Sequence, residues 1–71
     1  MTQRELIIQY LNDFGSITPM EAFRDLGITK LATRISEMKR DGMMFKQELV
    51  TSKNRYGKNV QYMKYMLGGN Q

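Results

Sequence analysis

Side-chain chemistry usually needs a general base, a nucleophile or a metal ligand, and most providers of these are missing: the sequence has no His and no Cys. Imidazole catalysis, thiolate attack, zinc-finger coordination and disulfide bridging go with them. Carboxylates remain, but Asp13 with Glu21, and Glu37 with Asp41, read as helix-terminal and i,i+4 surface charges rather than acid–base pairs. No glycine-rich phosphate loop follows a strand, so no nucleotide cofactor is implied. The chain reads as a non-enzyme with no cofactor, metal or small-molecule substrate. What is left is cations interleaved with hydroxyls and amides, in two places. The first set is Thr29, Lys30, Thr33, Arg34, Ser36, Glu37 and Arg40. The second is Lys53, Asn54, Arg55, Tyr56 and Lys58, with Gly57 among them. Lys and Arg reach phosphate oxygens or guanine edges, while Ser and Thr fit close to bases.

Charge placement points the same way. The net charge is +4, but residues 1–27 carry −2 and residues 28–71 carry +6. A basic half on so short a chain suits an anionic partner, although surface cations also serve solubility alone. Seventy-one residues make one domain with a thin core. No apolar run is long enough to span a bilayer, and Met1-Thr2-Gln3-Arg4-Glu5 is not a signal-peptide start.

The elements that would position these groups follow from periodicity. Leu6, Ile7, Tyr10, Leu11 and Phe14 form one apolar stripe and predict a helix over 3–14, stopped by Gly15. Ser16-Ile17-Thr18 is an extended link, at most a one- or two-bond edge strand. Thr18-Pro19-Met20-Glu21 is a capping box with Pro at the first helical position. The second helix therefore starts at residue 19, turns Met20, Phe23 and Leu26 inward, and ends at Gly27. After a turn of Gly27 and Ile28, Thr29 is expected to cap a third helix over 29–41, with Leu31, Ile35 and Met38 buried. Helices joined by so tight a turn cross steeply.

Beyond Gly42 the pattern changes to strand formers. Met43 to Thr51 and Val60 to Leu67 predict a β-hairpin around a polar loop at 52–59. Its expected core-facing set is Phe45, Leu49, Met63, Tyr65 and Leu67, in a register left open by the apolar residues of the other phase. The domain is placed at 1–67, with a flexible tail at 68–71.

The run from Ser16-Ile17-Thr18-Pro19 through Gly27-Ile28-Thr29 to Arg34-Ile35-Ser36-Glu37-Met38-Lys39-Arg40-Asp41-Gly42 resembles the winged helix-turn-helix family. The likeness is to the short helix-turn-helix domains common in bacteriophage and prophage genes. Val50-Thr51, Lys53 to Lys58 and Tyr65-Met66-Leu67 resemble the wing of the same group. The likeness runs from about residue 3 to 67. It implies an α+β fold, three helices followed by a two-stranded wing. It further implies double-stranded DNA as partner, with the helix at 29–41 in the major groove and the 52–59 wing on the backbone or minor groove. A phage-type transcriptional regulator or recombination accessory factor, in the cytoplasm of a bacterial or phage-infected cell, is the corresponding role. One such domain offers few base contacts, so a homodimer on a two-fold site is compatible with it. The alternative is a winged-helix module that binds a host or phage protein without DNA. Its signature would be an exposed apolar patch at Met44, Tyr62 or Met66. RNA, stacked on Tyr56 and Tyr62, is a weaker third reading.

Overall fold

The computed structural model describes residues 1–68. Three helices, α1 (Gln3–Phe14), α2 (Pro19–Leu26) and α3 (Leu31–Arg40), precede two strands, β1 (Phe45–Lys53) and β2 (Asn59–Leu67). The order matches the α+β architecture expected from the sequence. Of the expected tail, residues 69–71 lie outside the described residues, while the Gly68 N–H donates to the Met44 carbonyl at 2.8 Å.

Both N-terminal helices begin with a closed capping box. The Thr18 hydroxyl accepts from the Glu21 N–H at 3.2 Å, and the Glu21 carboxylate accepts from the Thr18 N–H at 3.0 Å. A second box, unanticipated from the sequence, joins Thr2 and Glu5 in the same way. Each satisfies two helix-end donors that would otherwise need water, an effect of about 1 kcal/mol. Accepting from the Thr2 N–H and hydroxyl holds the Glu5 carboxyl below its ordinary pKa.

The core is built by the three helices, their connections and β2. α1 contributes Ile7, Tyr10 and Leu11, α2 contributes Ala22, and α3 contributes Leu31, Ile35 and Met38. Ile17, Ile28 and Tyr65 complete it. Ile17 and Ile28 sit in connections, where no periodicity marks them as core. Ile17 is extended and bonds Tyr65 on the edge of β2 away from β1. The Ile17 N–H donates to the Tyr65 carbonyl at 2.9 Å, and the Tyr65 N–H donates back at 2.8 Å. The two-bond edge strand foreseen at residues 16–18 is therefore present, and it ties the hairpin to the helices.

Several inward-facing expectations are corrected. Met20 and Phe23 are exposed, at 70% and 59%, because α2 approaches the core through the small Ala22 and turns that side inward. Leu26, four residues on, packs partly against the same core, as expected. Phe14 is also exposed, at 69%; it is the last residue of α1, and its ring stands 4.6 Å from that of Tyr10. In the hairpin Tyr65 is buried and Phe45 and Met63 pack partly against the core, but Leu49 and Leu67 do not. Leu49 lies on β1, the outer strand, which meets the core only through Phe45, and Leu67 is the last residue of β2.

The third helix is shorter than expected. Thr29 does not cap it; Lys30 takes the N-cap position and makes no side-chain capping bond. The connection from α2 is four residues, Gly27 to Lys30, rather than two. Gly27 adopts φ 71°, left-handed backbone open chiefly to glycine, and the Ile28 N–H then closes back on the Ala22 carbonyl at 3.0 Å. Burying Ile28 in this way leaves Thr29 outside and delays the helix. The wing loop is likewise shorter: the strands run to Lys53 and from Asn59, which pair with each other, leaving Asn54 to Lys58 as the turn.

Candidate nucleic-acid interface

α3 presents three different sides. Leu31, Ile35 and Met38 face the core. Arg34 and Glu37 turn toward the N-terminus of α1. There the Arg34 guanidinium donates through Nε to Gln3 Oε1 at 3.0 Å, and through a terminal nitrogen to both Glu37 oxygens at 2.8 and 3.0 Å. Arg4 lies 3.8 Å from Glu37 and also pairs with Asp41. Glu37 is thus paired with Arg34 on its own helix and lies beside Arg4 of α1. The remaining side, carrying Thr33, Ser36 and Arg40, is exposed, and Thr29 and Lys30 are exposed just before the helix begins. Lys39 is exposed as well and donates to the Gln47 side chain on β1. Lys30, Thr33, Ser36 and Arg40 have no hydrogen-bonded side-chain partner among the described residues.

The first turn of α3 contains no acidic residue, and its last turn carries Lys39 and Arg40. Cations there complement the partial negative charge of the helix C-terminus. The helix therefore offers hydroxyls in the middle of its outer face and cations at both ends.

The second predicted set surrounds the hairpin turn. Asn54 shapes that turn: its side-chain oxygen accepts from the Tyr56 N–H at 2.9 Å and the Lys58 N–H at 3.1 Å. The Asn54 N–H donates to the Lys58 carbonyl at 2.9 Å, and Gly57, at φ 77°, lets the chain reverse. This is a side-chain-built turn of the kind Asn favours. Lys53, Arg55, Tyr56 and Lys58 are all exposed, Tyr56 at 84%. The geometry thus divides the predicted residues. Lys30, Thr33, Ser36, Arg40, Lys53, Arg55 and Lys58 have unencumbered heads, whereas Arg34, Glu37 and Asn54 are engaged in holding α3 or the turn.

Two closely connected helices with an outward polar face, followed by a projecting hairpin, are the parts of a helix-turn-helix unit with its wing. A family model described as a winged helix-turn-helix domain matches residues 2–70. The chain belongs to that family. No curated protein and no solved structure matches the chain significantly. In this winged helix-turn-helix domain α2 and α3 form the helix-turn-helix, β1 and β2 form the wing, and Ile17 supplies the short strand beside β2. Among the described residues no helix is long and apolar enough to cross a membrane, and no carboxylate cluster could hold a metal ion.

Proposed function

We propose that this winged helix-turn-helix domain binds double-stranded DNA, with the outer face of α3 in the major groove and the turn of the wing against the flanking backbone or minor groove. The observation that carries the reading is the unpaired outer face of α3: Lys30, Thr33, Ser36 and Arg40 point away from the fold while Arg34 and Glu37 fasten the helix to α1. Lys30 and Arg40 would meet phosphates or guanine edges, and Thr33 and Ser36 the bases between them. Thr29, beside Lys30, is available to a phosphate. Lys53, Arg55 and Lys58 on the wing add sequence-independent attraction, and Tyr56 an exposed ring against the sugar–phosphate chain. Arg34 and Glu37 act here as positioning residues. The likeness to phage and prophage domains supports a role as a transcriptional regulator or a recombination accessory factor.

Selection of bound duplexes from a random pool tests the reading, and a consensus sequence is the expected result. The variant Lys30→Glu/Arg40→Glu should lose binding to the selected duplex with its circular dichroism unchanged. Undiminished affinity would remove α3 from the contact surface. A second reading is a protein partner in place of DNA, which would cover the exposed Met44 and Tyr62, 64% and 37% accessible. Absence of duplex binding even at low salt would favour it.

A further inference from the structure

We propose that β1 is the surface at which two copies of this chain join, its free edge pairing antiparallel with the same edge of a second copy about Gln47. Tyr65 directs its N–H and carbonyl to Ile17, so Gln47, directly opposite on β1, has its own N–H and carbonyl turned away from β2. The two-residue alternation of a strand extends that orientation to Phe45, Leu49 and Thr51. Residues of the other phase bond inward, as Met44 does to Gly68 at 2.8 Å. No other described strand lies along the outer edge of β1. A row of outward donors and acceptors of this length is a template for another strand, and such edges are commonly blunted by charge.

Here the charges select a copy of the same edge. A two-fold axis at Gln47 sets Lys46 opposite Glu48 of the second copy, twice over. Moving the axis to Lys46 or to Glu48 sets like charges against each other, and moving it to Leu49 leaves Glu48 opposite Val50. The Gln47 register also sets Leu49, which is 55% exposed, opposite Phe45, and the exposed Met44 opposite Val50. Lys46 and Glu48 fall in the closer, non-hydrogen-bonded pairs, where side chains interact most. The interface is isologous and extends the sheet through both wings. It is independent of the DNA reading and is measured without DNA.

Sedimentation of the full chain tests it, with circular dichroism of each variant as the check on folding. A concentration-dependent monomer–dimer equilibrium is expected. K46E and E48K should each raise its dissociation constant about tenfold, since two attractive cross-strand pairs become repulsive. The double variant K46E/E48K should restore dimerisation, because it re-creates opposite charges in the same register. Glu48 also faces Lys64 within the hairpin, so if E48K misfolds, K46E and L49K decide, each expected to weaken the dimer. A wild-type chain that stays monomeric at about 1 mM, a folded double variant no better than the single ones, or an undisturbed dimer in K46E and L49K overturns the proposal.

Discussion

Asp25 is held by two donors from different helices. The Arg24 guanidinium donates at 2.9 and 3.2 Å, and the Tyr10 hydroxyl donates at 2.7 Å. Arg24 first, and Tyr10 after it, hold the Asp25 carboxyl down at about 2, against an ordinary 3.8. The same contact pushes the Tyr10 hydroxyl above its usual value. A carboxyl depressed in the folded state stabilises above its unfolded pKa, and that contribution fades as pH falls through the folded value. Thermal stability should therefore fall between about pH 4 and pH 2. In Asp25→Asn that part of the decline should disappear, as melts across the same range will show. Ile28 gives a larger effect at the same scale. It is buried at 1% exposure in the turn between α2 and α3, and Ile28→Ala should cost about 2–5 kcal/mol. Urea unfolding measures it; a loss below about 1 kcal/mol would mean that the turn collapses onto the space.

At the scale of elements, Arg34 and Glu37 tie the core-packed α3 to the α1 N-terminus, and Asn54 shapes the tip of the wing. Arg34→Ala removes the bonds to Gln3 and Glu37. It should weaken DNA binding less than Lys30→Glu/Arg40→Glu while lowering the melting temperature more, because it loosens the helix without subtracting from the free face. A titration and a melt on each variant separate the two effects. The wing makes a different prediction. Lys53→Ala/Arg55→Ala/Lys58→Ala should weaken binding to all duplexes alike. It should also reduce the slope of log affinity against log salt by up to about 2–3, because a phosphate that meets no cation keeps its condensed counterion. An unchanged slope would mean that the wing stands clear of the phosphates.

Across the whole molecule, burial is concentrated around the helices and the bridge where Ile17 joins Tyr65. Helices, connection and wing meet at that bridge, whereas every residue from Thr51 to Tyr62 is exposed. Hydrogen exchange should therefore find the Ile17 and Tyr65 amides among the slowest, and the hairpin end beyond Thr51 among the fastest. Equal protection along β2 would contradict that gradient. The electrostatics are divided similarly: the +6 of residues 28–71 falls on α3 and the hairpin, and the −2 of residues 1–27 on α1 and α2. The domain therefore has polarity as well as net charge.

By itself the sequence determined the element order, the cap at Thr18, the stops at Gly15 and Gly27, and the exclusion of His- and Cys-dependent chemistry, because these rest on local backbone preference or on residue type. The resemblance added the fold, which the family match bears out. Only the tertiary structure decided which apolar residues are core. Ile17 and Ile28 are buried from connections that have no period, while Met20, Phe23 and Leu49 fit a period yet stay exposed. It also divided the polar face of α3: Arg34 and Arg40 are both arginines on one helix, and only the position of α1 engages the first and leaves the second open. Burial and partnership depend on what packs opposite a residue, which its neighbours in the chain do not specify.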